Sequence, residues 1–289
     1  MGVTAGYAVV QEKSMFGTRL RGLPIVAVAA TMLGLGIGAT WGETKDDPWP
    51  DIARDAFNGR TLVDGTDLLA IDMPYRAEDA AIVPVTVRLT LPPGDARRAR
   101  TLTIVVDENP APVAATFTLG PNSGVTSIST RVRVDSYTNV HAVAELSDGK
   151  LYVVKTYVKA SGGCSAPAAK NADEAIASLG QMRLRQFPGT ANNSSNGAPE
   201  AQIMIRHPNN SGLQMDQLTR LYVPAFFVQE LKLWQGDELI LSMDAGISIS
   251  EDPNIRITYA PNGAKALRAE ARDTENHVFK GEWPAQAQM

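Results

Sequence analysis

The sequence predicts an all-β protein built from two β-sandwich domains. Apolar residues recur at every second position in many short segments, turn residues separate these segments, and helical periodicity is nearly absent. The chain of 289 residues is long enough for two domains, and its 44% hydrophobic content is typical of globular proteins. We therefore expect each half to bury a hydrophobic core of its own.

Residues 1–42 are predicted to form a secretory signal peptide. Arg19 and Arg21 precede an apolar run over residues 23–37, which ends in small residues. A membrane anchor is the alternative, although the run is shorter than the roughly 20 apolar residues that a spanning helix needs. We expect a periplasmic protein that is not stably inserted in the membrane once the signal peptide has been cleaved.

Cleavage of this segment would leave an acidic protein. Residues 1–42 contain three basic residues and one acidic residue, so the rest of the chain has 24 basic against 30 acidic residues and a formal charge of −6. This balance argues against nucleic acid as a partner. Met15 directly precedes the basic pair, so the sequence is compatible with translation from either Met1 or Met15.

Residues 43–164 are predicted to form the first sandwich, after a polar, Pro-containing entry. The clearest strand covers residues 83–91, where five apolar side chains alternate with Pro, Thr and Arg. Alternation also places Arg131 and Arg133 on a charged outer face. A hairpin turn is predicted at Ser147 to Lys150. The remaining strands of this half are expected over residues 102–106, 114–119, 128–134, 140–146 and 151–158.

Residues 165–199 are predicted to form a flexible linker because Ala, Pro, Asn, Ser and Gly dominate there. Within the linker, Ile176, Leu179 and Met182 have near-helical spacing, so a short surface helix and a coil both fit. Residues 200–289 are expected to form the second sandwich. Its strands are predicted near residues 203–205, 227–234, 239–243, 255–259, 267–271 and 278–283.

Cys164 is the only cysteine of the chain. Exported proteins usually pair their cysteines, so an unpaired thiol suggests that Cys164 has a function or is protected from oxidation. A buried and inert cysteine is the alternative. Ser161, Gly162 and Gly163 lie between a predicted strand and Cys164, and the glycines leave the backbone unrestrained. Four extended residues span at most about 13 to 14 Å. We predict that Ser161, Gly162 and Gly163 form a flexible arm that presents Cys164 for covalent attachment of a cargo.

Other candidates for chemistry are weaker. His141, His207 and His277 are far apart in sequence and no pair has metal-ligand spacing, so we expect solvated or turn-capping roles and no metal site. His207 precedes Pro208, and its extended backbone could let it face the arm. The sequence has no phosphate-binding loop, no serine-hydrolase elbow and no second cysteine. We therefore predict no catalytic residue, no cofactor and no enzymatic activity.

Several motifs resemble a known family. Residues from about Phe57 to Cys164 resemble the SoxY subunit, and residues from about Ala201 to Trp283 resemble the SoxZ subunit, of the SoxYZ sulfur carrier. The likeness is closest to fused SoxYZ-like carriers associated with quinoprotein dehydrogenases. The motifs are Ile82 to Val85, Glu108 to Pro110, Ser129 to Arg133, Ala142 to Glu145 and Gly162 to Cys164 in the first half, and Ile205 to Pro208, Val223 to Phe227 and Ile247 to Ser248 in the second.

The resemblance implies an immunoglobulin-like sandwich for each half, with the SoxY-like and SoxZ-like domains pairing within one chain. It also implies a carrier whose swinging-arm cysteine holds sulfur intermediates for partner enzymes. The expected partners are periplasmic Sox-type enzymes or a quinoprotein dehydrogenase and cytochrome system. The alternative is a noncatalytic interaction module that docks to such a dehydrogenase or cytochrome.

One departure from the family pattern concerns the end of the arm. In the family, two further glycines follow the cysteine and the subunit ends there, whereas here Ser165, Ala166 and Pro167 follow and the chain continues. Cys164 is therefore tethered on both sides unless the linker is cleaved. The sequence leaves the identity of the cargo open.

Overall fold

The structure is a computed structural model that describes residues 46–167, 172–189 and 197–286. The predicted signal peptide lies outside these residues. From Asp46 onward the chain forms one compact unit. Within the described part, no helix combines the length and apolar character needed to cross a bilayer.

The described residues form fifteen strands and two short helices. In the first half these are α1 (Trp49–Ala56), β1 (Leu62–Asp64), β2 (Leu69–Asp72), β3 (Val83–Leu89), β4 (Ala99–Val106), β5 (Val113–Leu119), β6 (Ser127–Val132), β7 (Thr138–Leu146) and β8 (Leu151–Val158). They are followed by α2 (Ala172–Ala177), β9 (Met182–Phe187), β10 (Glu200–Ile205), β11 (Val228–Gln235), β12 (Glu238–Ala245), β13 (Asn254–Thr258), β14 (Ala266–Asp273) and β15 (Val278–Pro284).

The strands form two sheets, which confirms the all-β sandwich class. The nine-stranded sheet has the order β1-β8-β7-β4-β5-β12-β11-β14-β15, and the six-stranded sheet has the order β2-β3-β6-β13-β10-β9. Both sheets pass from the first half of the chain into the second. The junctions are antiparallel, between β5 and β12 in one sheet and between β6 and β13 in the other.

The core lies between the two sheets. In β3, Val83, Val85 and Val87 are buried, as their alternation with polar residues predicts. Phe117 of β5 lies directly opposite Met243 of β12, and both are fully buried in the same hydrophobic cluster. This cluster contains residues of both halves, so the expectation of separate cores is wrong.

Helix α1 occupies most of the polar, Pro-containing entry, for which the sequence analysis predicted no helix. Trp49 and Ile52 pack with Phe57, Val105 and Leu151 on the side of the nine-stranded sheet that faces away from the main core. The helix has only eight residues, and such a short segment gives a weak periodic signal. Its apolar residues cover a second, smaller cluster.

The predicted linker contains regular structure. Helix α2 ends at Ala177, and Gly180 then adopts a φ of +74° while its backbone N–H donates to the carbonyl of Arg206. The chain continues as β9, which pairs antiparallel with β10 along its whole length. A flexible linker is therefore wrong for residues 182–187, where Leu184 faces the core and the arginines beside it face outward.

Candidate functional site

The candidate site is the segment that follows β8 and contains Cys164. The N–H of Gly162 donates to the carbonyl of Asp135 at 2.8 Å, and the N–H of Gly163 donates to the carbonyl of Val134 at 2.9 Å. The arm, residues 161–166, therefore lies against the chain that leaves β6. The arm is packed against the rest of the protein and does not extend into solvent.

Each glycine of the arm has its own structural reason. Gly162 has a φ of +79°, which residues with a side chain rarely adopt. Gly163 lies so close to its neighbours that a Cβ would be 2.1 Å from the carbonyl oxygen of Ala80 and 2.7 Å from that of Val134. The glycines that the sequence suggested to be a source of flexibility thus also permit close packing of the arm.

Cys164 is fully buried, with 0% of its surface exposed. Burial raises the pKa of its thiol to about 12, and the carboxylate of Asp135 adds to this rise, whereas Arg133 opposes it. The thiolate is the nucleophilic form of cysteine. In this packed position Cys164 is therefore protonated at neutral pH and unreactive.

The second half of the chain covers the arm with residues 207–214, which we call the covering loop. Ser211 donates its hydroxyl to the backbone carbonyl of Cys164 at 2.5 Å, and Gln214 donates its side-chain amide to the carbonyl of Ala166 at 3.0 Å. Both side chains are almost fully buried. The SoxZ-like half therefore holds the backbone on which the SoxY-like half carries its thiol.

Arg133 joins the arm to the covering loop. Its guanidinium donates to the carbonyl of Gly163 at 3.1 Å and to that of Asn209 at 3.2 Å. Only 1% of Arg133 is exposed, so its predicted place on a solvated face is wrong. Burial lowers its pKa, although the carboxylates of Glu251 and Asp79 act in the opposite direction.

Asn109, from the Glu-Asn-Pro motif, fixes the backbone beside Arg133. Its amide nitrogen donates to the carbonyl of Arg133 at 2.7 Å and to the hydroxyl of Ser248 at 2.9 Å, while its oxygen accepts the N–H of Asp135 at 2.8 Å. Asn109 is buried. This network positions the segment on which the arm rests.

Two of the three histidines are buried, contrary to the expected solvated roles. His141 pairs with Asp107 at 2.9 Å and stacks on Trp49 with ring centroids 3.5 Å apart. His207 accepts the N–H of Asn209 on Nδ1, so its proton lies on Nε2, 3.5 Å from a carboxylate oxygen of Asp273. Burial lowers the pKa of His207, which is therefore neutral at pH 7.

His277 is half exposed and donates to Asp273 at 2.8 Å, within a tight turn. In the described ranges, no group of three or more His, Cys, Asp or Glu side chains is arranged to hold a metal ion. His207 does not itself hydrogen-bond to the arm, but the loop that follows it does. Ser211, Gln214 and Arg133 are the site residues that sequence reasoning missed.

Comparison with known proteins identifies both halves. The family model of the sulfur oxidation protein SoxY matches residues 53–164, and that of the sulphur oxidation protein SoxZ matches residues 189–284. The SoxY match ends at Cys164, and together the two matches cover most of the chain. No curated protein sequence matches it.

Solved structures give weaker similarities, and the two described here each match less than half of this chain. The sulfur carrier protein SoxY from Chlorobium limicola f thiosulfatophilum has 26% identity and a TM-score of 0.32, and the match covers 39% of this chain and 91% of that one. A superoxide reductase (neelaredoxin) from Ignicoccus hospitalis has 13% identity and a TM-score of 0.29, covering 38% of this chain and 86% of that one. On the two family matches in tandem, the chain belongs to the SoxYZ family of sulfur oxidation proteins, with SoxY and SoxZ joined in one polypeptide.

Proposed function

We propose that this protein is a covalent sulfur carrier in which Cys164 bears the cargo. The observation that carries the proposal is the position of the only cysteine, which is the last residue of the SoxY match and lies on a segment outside the strands. A thiol at the core of a strand could not leave its site without unfolding a sheet. The arm is held by hydrogen bonds to its backbone, which can break while both sheets stay intact.

The packed arm is the resting state of the proposed carrier. Five hydrogen bonds hold it, from the N–H groups of Gly162 and Gly163 and from the side chains of Arg133, Ser211 and Gln214. Each contributes roughly 0.5 to 1.5 kcal/mol, so a transient release is compatible with a stable fold. Burial protects the free thiol from oxidation and from disulfide formation between chains.

Loading follows thiol exchange once the arm is released. The pKa of the Cys164 thiol returns toward the ordinary value of about 8.5 in water, which makes thiolate available. The thiolate attacks the outer sulfur of a persulfide on a partner enzyme, a new S–S bond forms, the partner's S–S bond breaks, and the partner keeps its own sulfur as thiolate. The exchange needs no further oxidant because one persulfide replaces another.

The partners are proposed to be periplasmic Sox-type enzymes or a quinoprotein dehydrogenase system, as the sequence resemblance implies. Because the chain continues beyond Cys164, such a partner must accept a loop instead of a chain end. A wide, shallow entrance to its active site would satisfy this requirement.

Intact mass spectrometry of protein isolated from its native host tests the proposal. We expect a sulfur-containing mass adduct on the peptide that carries Cys164, and no adduct on the Cys164→Ser variant. Recovery of only the unmodified thiol, from cells that are oxidising sulfur compounds, would contradict the carrier function. The same spectrum reports whether the chain is cut after Cys164.

A second function is favoured by the burial of Cys164 itself. A noncatalytic interaction module, docking to a periplasmic dehydrogenase or cytochrome, needs no accessible thiol. This alternative predicts that Cys164→Ser leaves growth on the sulfur or dehydrogenase substrate unchanged. The carrier function predicts that growth on that substrate is lost, although the variant folds normally.

A further inference from the structure

A pocket lies on the outer face of the six-stranded sheet, away from the packed arm. In register across three adjacent strands, Arg183 of β9 is opposite Met204 of β10, which is opposite Asn254 of β13. Arg131 of β6 and Arg206, directly after β10, complete the lining together with Asp252. The cavity has a volume of about 360 Å³, which is within the range of small-ligand sites.

The pocket has more positive than negative charge. Three guanidinium groups line it against the single carboxylate of Asp252, which pairs with Arg206. Arg183 makes no ion pair with any carboxylate in the part of the chain that the structure describes. We call this site, Arg131, Arg183 and Arg206 with Asp252, the arginine pocket.

Arg131 is only partly satisfied. One of its terminal nitrogens donates to the backbone carbonyls of Asp252 at 2.8 Å and Glu251 at 3.3 Å. Its Nε is buried and has no hydrogen-bond partner. A buried donor without a partner is costly, roughly 1 to 3 kcal/mol.

Two other arginines on the same face pair with carboxylates of neighbouring strands. Arg256 of β13 pairs with Glu200 of β10, and Arg88 of β3 pairs with Asp72 of β2. These cross-strand pairs neutralise their own charge. The excess positive charge at the arginine pocket therefore is not a general property of the sheet face.

We propose that the arginine pocket binds a small tetrahedral oxyanion of the sulfate and thiosulfate class. Guanidinium groups present paired N–H donors that match the oxygens of such anions. The side chain of Met204, between Arg183 and Asn254, supplies an apolar wall beside these donors. This site is additional to the covalent carrier function and does not require Cys164.

The location links the pocket to the arm through one strand. Arg131 lies in β6 and Arg133 follows the end of this strand, so their Cα atoms are roughly 7 Å apart. Arg133 holds the carbonyl of Gly163. An oxyanion bound to Arg131 would therefore lie two residues along the chain from Arg133, the arginine that anchors the arm.

Isothermal titration calorimetry with the purified full chain tests the proposal. Sodium thiosulfate, sulfate, phosphate and acetate are titrated separately, with chloride keeping the ionic strength constant because salt screens exposed charges. We expect saturable binding of one oxyanion per chain, weaker by about tenfold in Arg183→Gln, as the loss of one charge-assisted hydrogen bond implies. Thiosulfate binding tighter than phosphate would identify a sulfur ligand, and equal binding a general tetrahedral oxyanion site.

Arg185→Gln is the matched control. Arg185 lies on the same strand and the same face as Arg183, is also exposed, and does not line the pocket. We expect its affinity to stay within about twofold of the wild type. Absence of saturable binding, equal losses in both variants, or acetate binding as tightly as sulfate would overturn the proposal. Cys164→Ser should bind normally, so failure of the carrier function would not affect this result.

Discussion

Gly163 determines how closely the arm can approach the rest of the molecule. A Cβ at this position would overlap the backbone carbonyls of Ala80 and Val134, so there is no room for a side chain. The burial of Cys164 depends on this contact, because the thiol follows directly in sequence. A change at Gly163 should therefore alter the chemistry of the neighbouring cysteine before it alters the stability of the fold.

Replacement Gly163→Ala is expected to release the arm. The added Cβ would overlap the carbonyl oxygen of Ala80, so the packed position becomes unfavourable by several kcal/mol. We expect the rate of Cys164 alkylation by iodoacetamide at pH 7.5 to rise by at least about tenfold. Gly149→Ala is the control, since Gly149 has nothing within 4 Å of an added Cβ and its φ of +79° strains the variant at a site outside the arm. An unchanged rate in Gly163→Ala would contradict the packed geometry.

The packed arm should also be sensitive to alkaline pH. The pKa of Cys164 is about 12 when packed and about 8.5 when exposed, so the released state loses its proton first. Packing is therefore fully stable below pH 8.5 and is lost progressively as pH rises toward 12. At pH 9.5 the equilibrium should shift about tenfold toward release. Native-state proteolysis of residues 161–166 between pH 7.5 and 9.5 measures this shift, and Cys164→Ser should abolish it.

The cysteine and its preceding glycines were predictable from the sequence, but their burial was not. Alternation predicts Arg131 and Arg133 on one outer face, but β6 ends at Val132, and Arg133 is buried whereas Arg131 is only partly buried. Arg133 is covered by a loop that begins 74 positions later in the chain. No local pattern reports such a contact, and Ser211 and Gln214 in that loop resemble ordinary turn residues.

At the scale of elements, the covering loop lies in the connection between β10 and β11. Its side chains hold the arm by hydrogen bonds to the arm's backbone carbonyls. Strands with strict alternation, such as β3 and β14, were correctly predicted because one face of each is buried. Helix α1 and strands β1 and β2 were missed because each is short. Strand β9 was also missed. Ile176, Leu179 and Met182 are three residues apart, which suggested a helix, but only Met182 lies in β9.

Replacement Ser211→Ala should weaken the hold of this loop on the arm. It removes the hydrogen bond to the carbonyl of Cys164, which corresponds to a roughly three- to tenfold increase in thiol alkylation. Thr103→Val is the control, because Thr103 is also buried and its hydroxyl makes one hydrogen bond, with the hydroxyl of Thr116 of β5 in the nine-stranded sheet. Both variants should lose similar stability to urea, and only Ser211→Ala should alkylate faster. Equal alkylation in the two would argue against a role for Ser211.

At the scale of the whole molecule, the two halves behave as one folded body. Each half alone would have two unpaired strand edges. The pairing of β5 with β12 and of β6 with β13 covers these edges. The composition of the sequence could indicate two sandwiches but not their merger, since strand pairing across halves depends on contacts between distant residues.

Cleavage of the chain between β9 and β10 should leave both fragments associated. The backbone ladders of both sheets and the shared core remain intact after the cut. We expect a single peak of unchanged mass in size-exclusion chromatography with light scattering, and one unfolding transition in urea. The fragment that ends before β10, expressed alone, should aggregate through the uncovered edges of β5 and β6. Dissociation of the cut protein into stable, soluble halves would contradict the shared core.

The presence of both halves in one polypeptide also fixes their ratio at one to one. In a complex of two separate subunits, dilution or unequal synthesis leaves some copies without their partner. In this chain every thiol is made together with the loop that covers it, and their local concentration does not depend on how much of the protein is made. A population of such molecules should therefore contain no orphan subunits at any expression level.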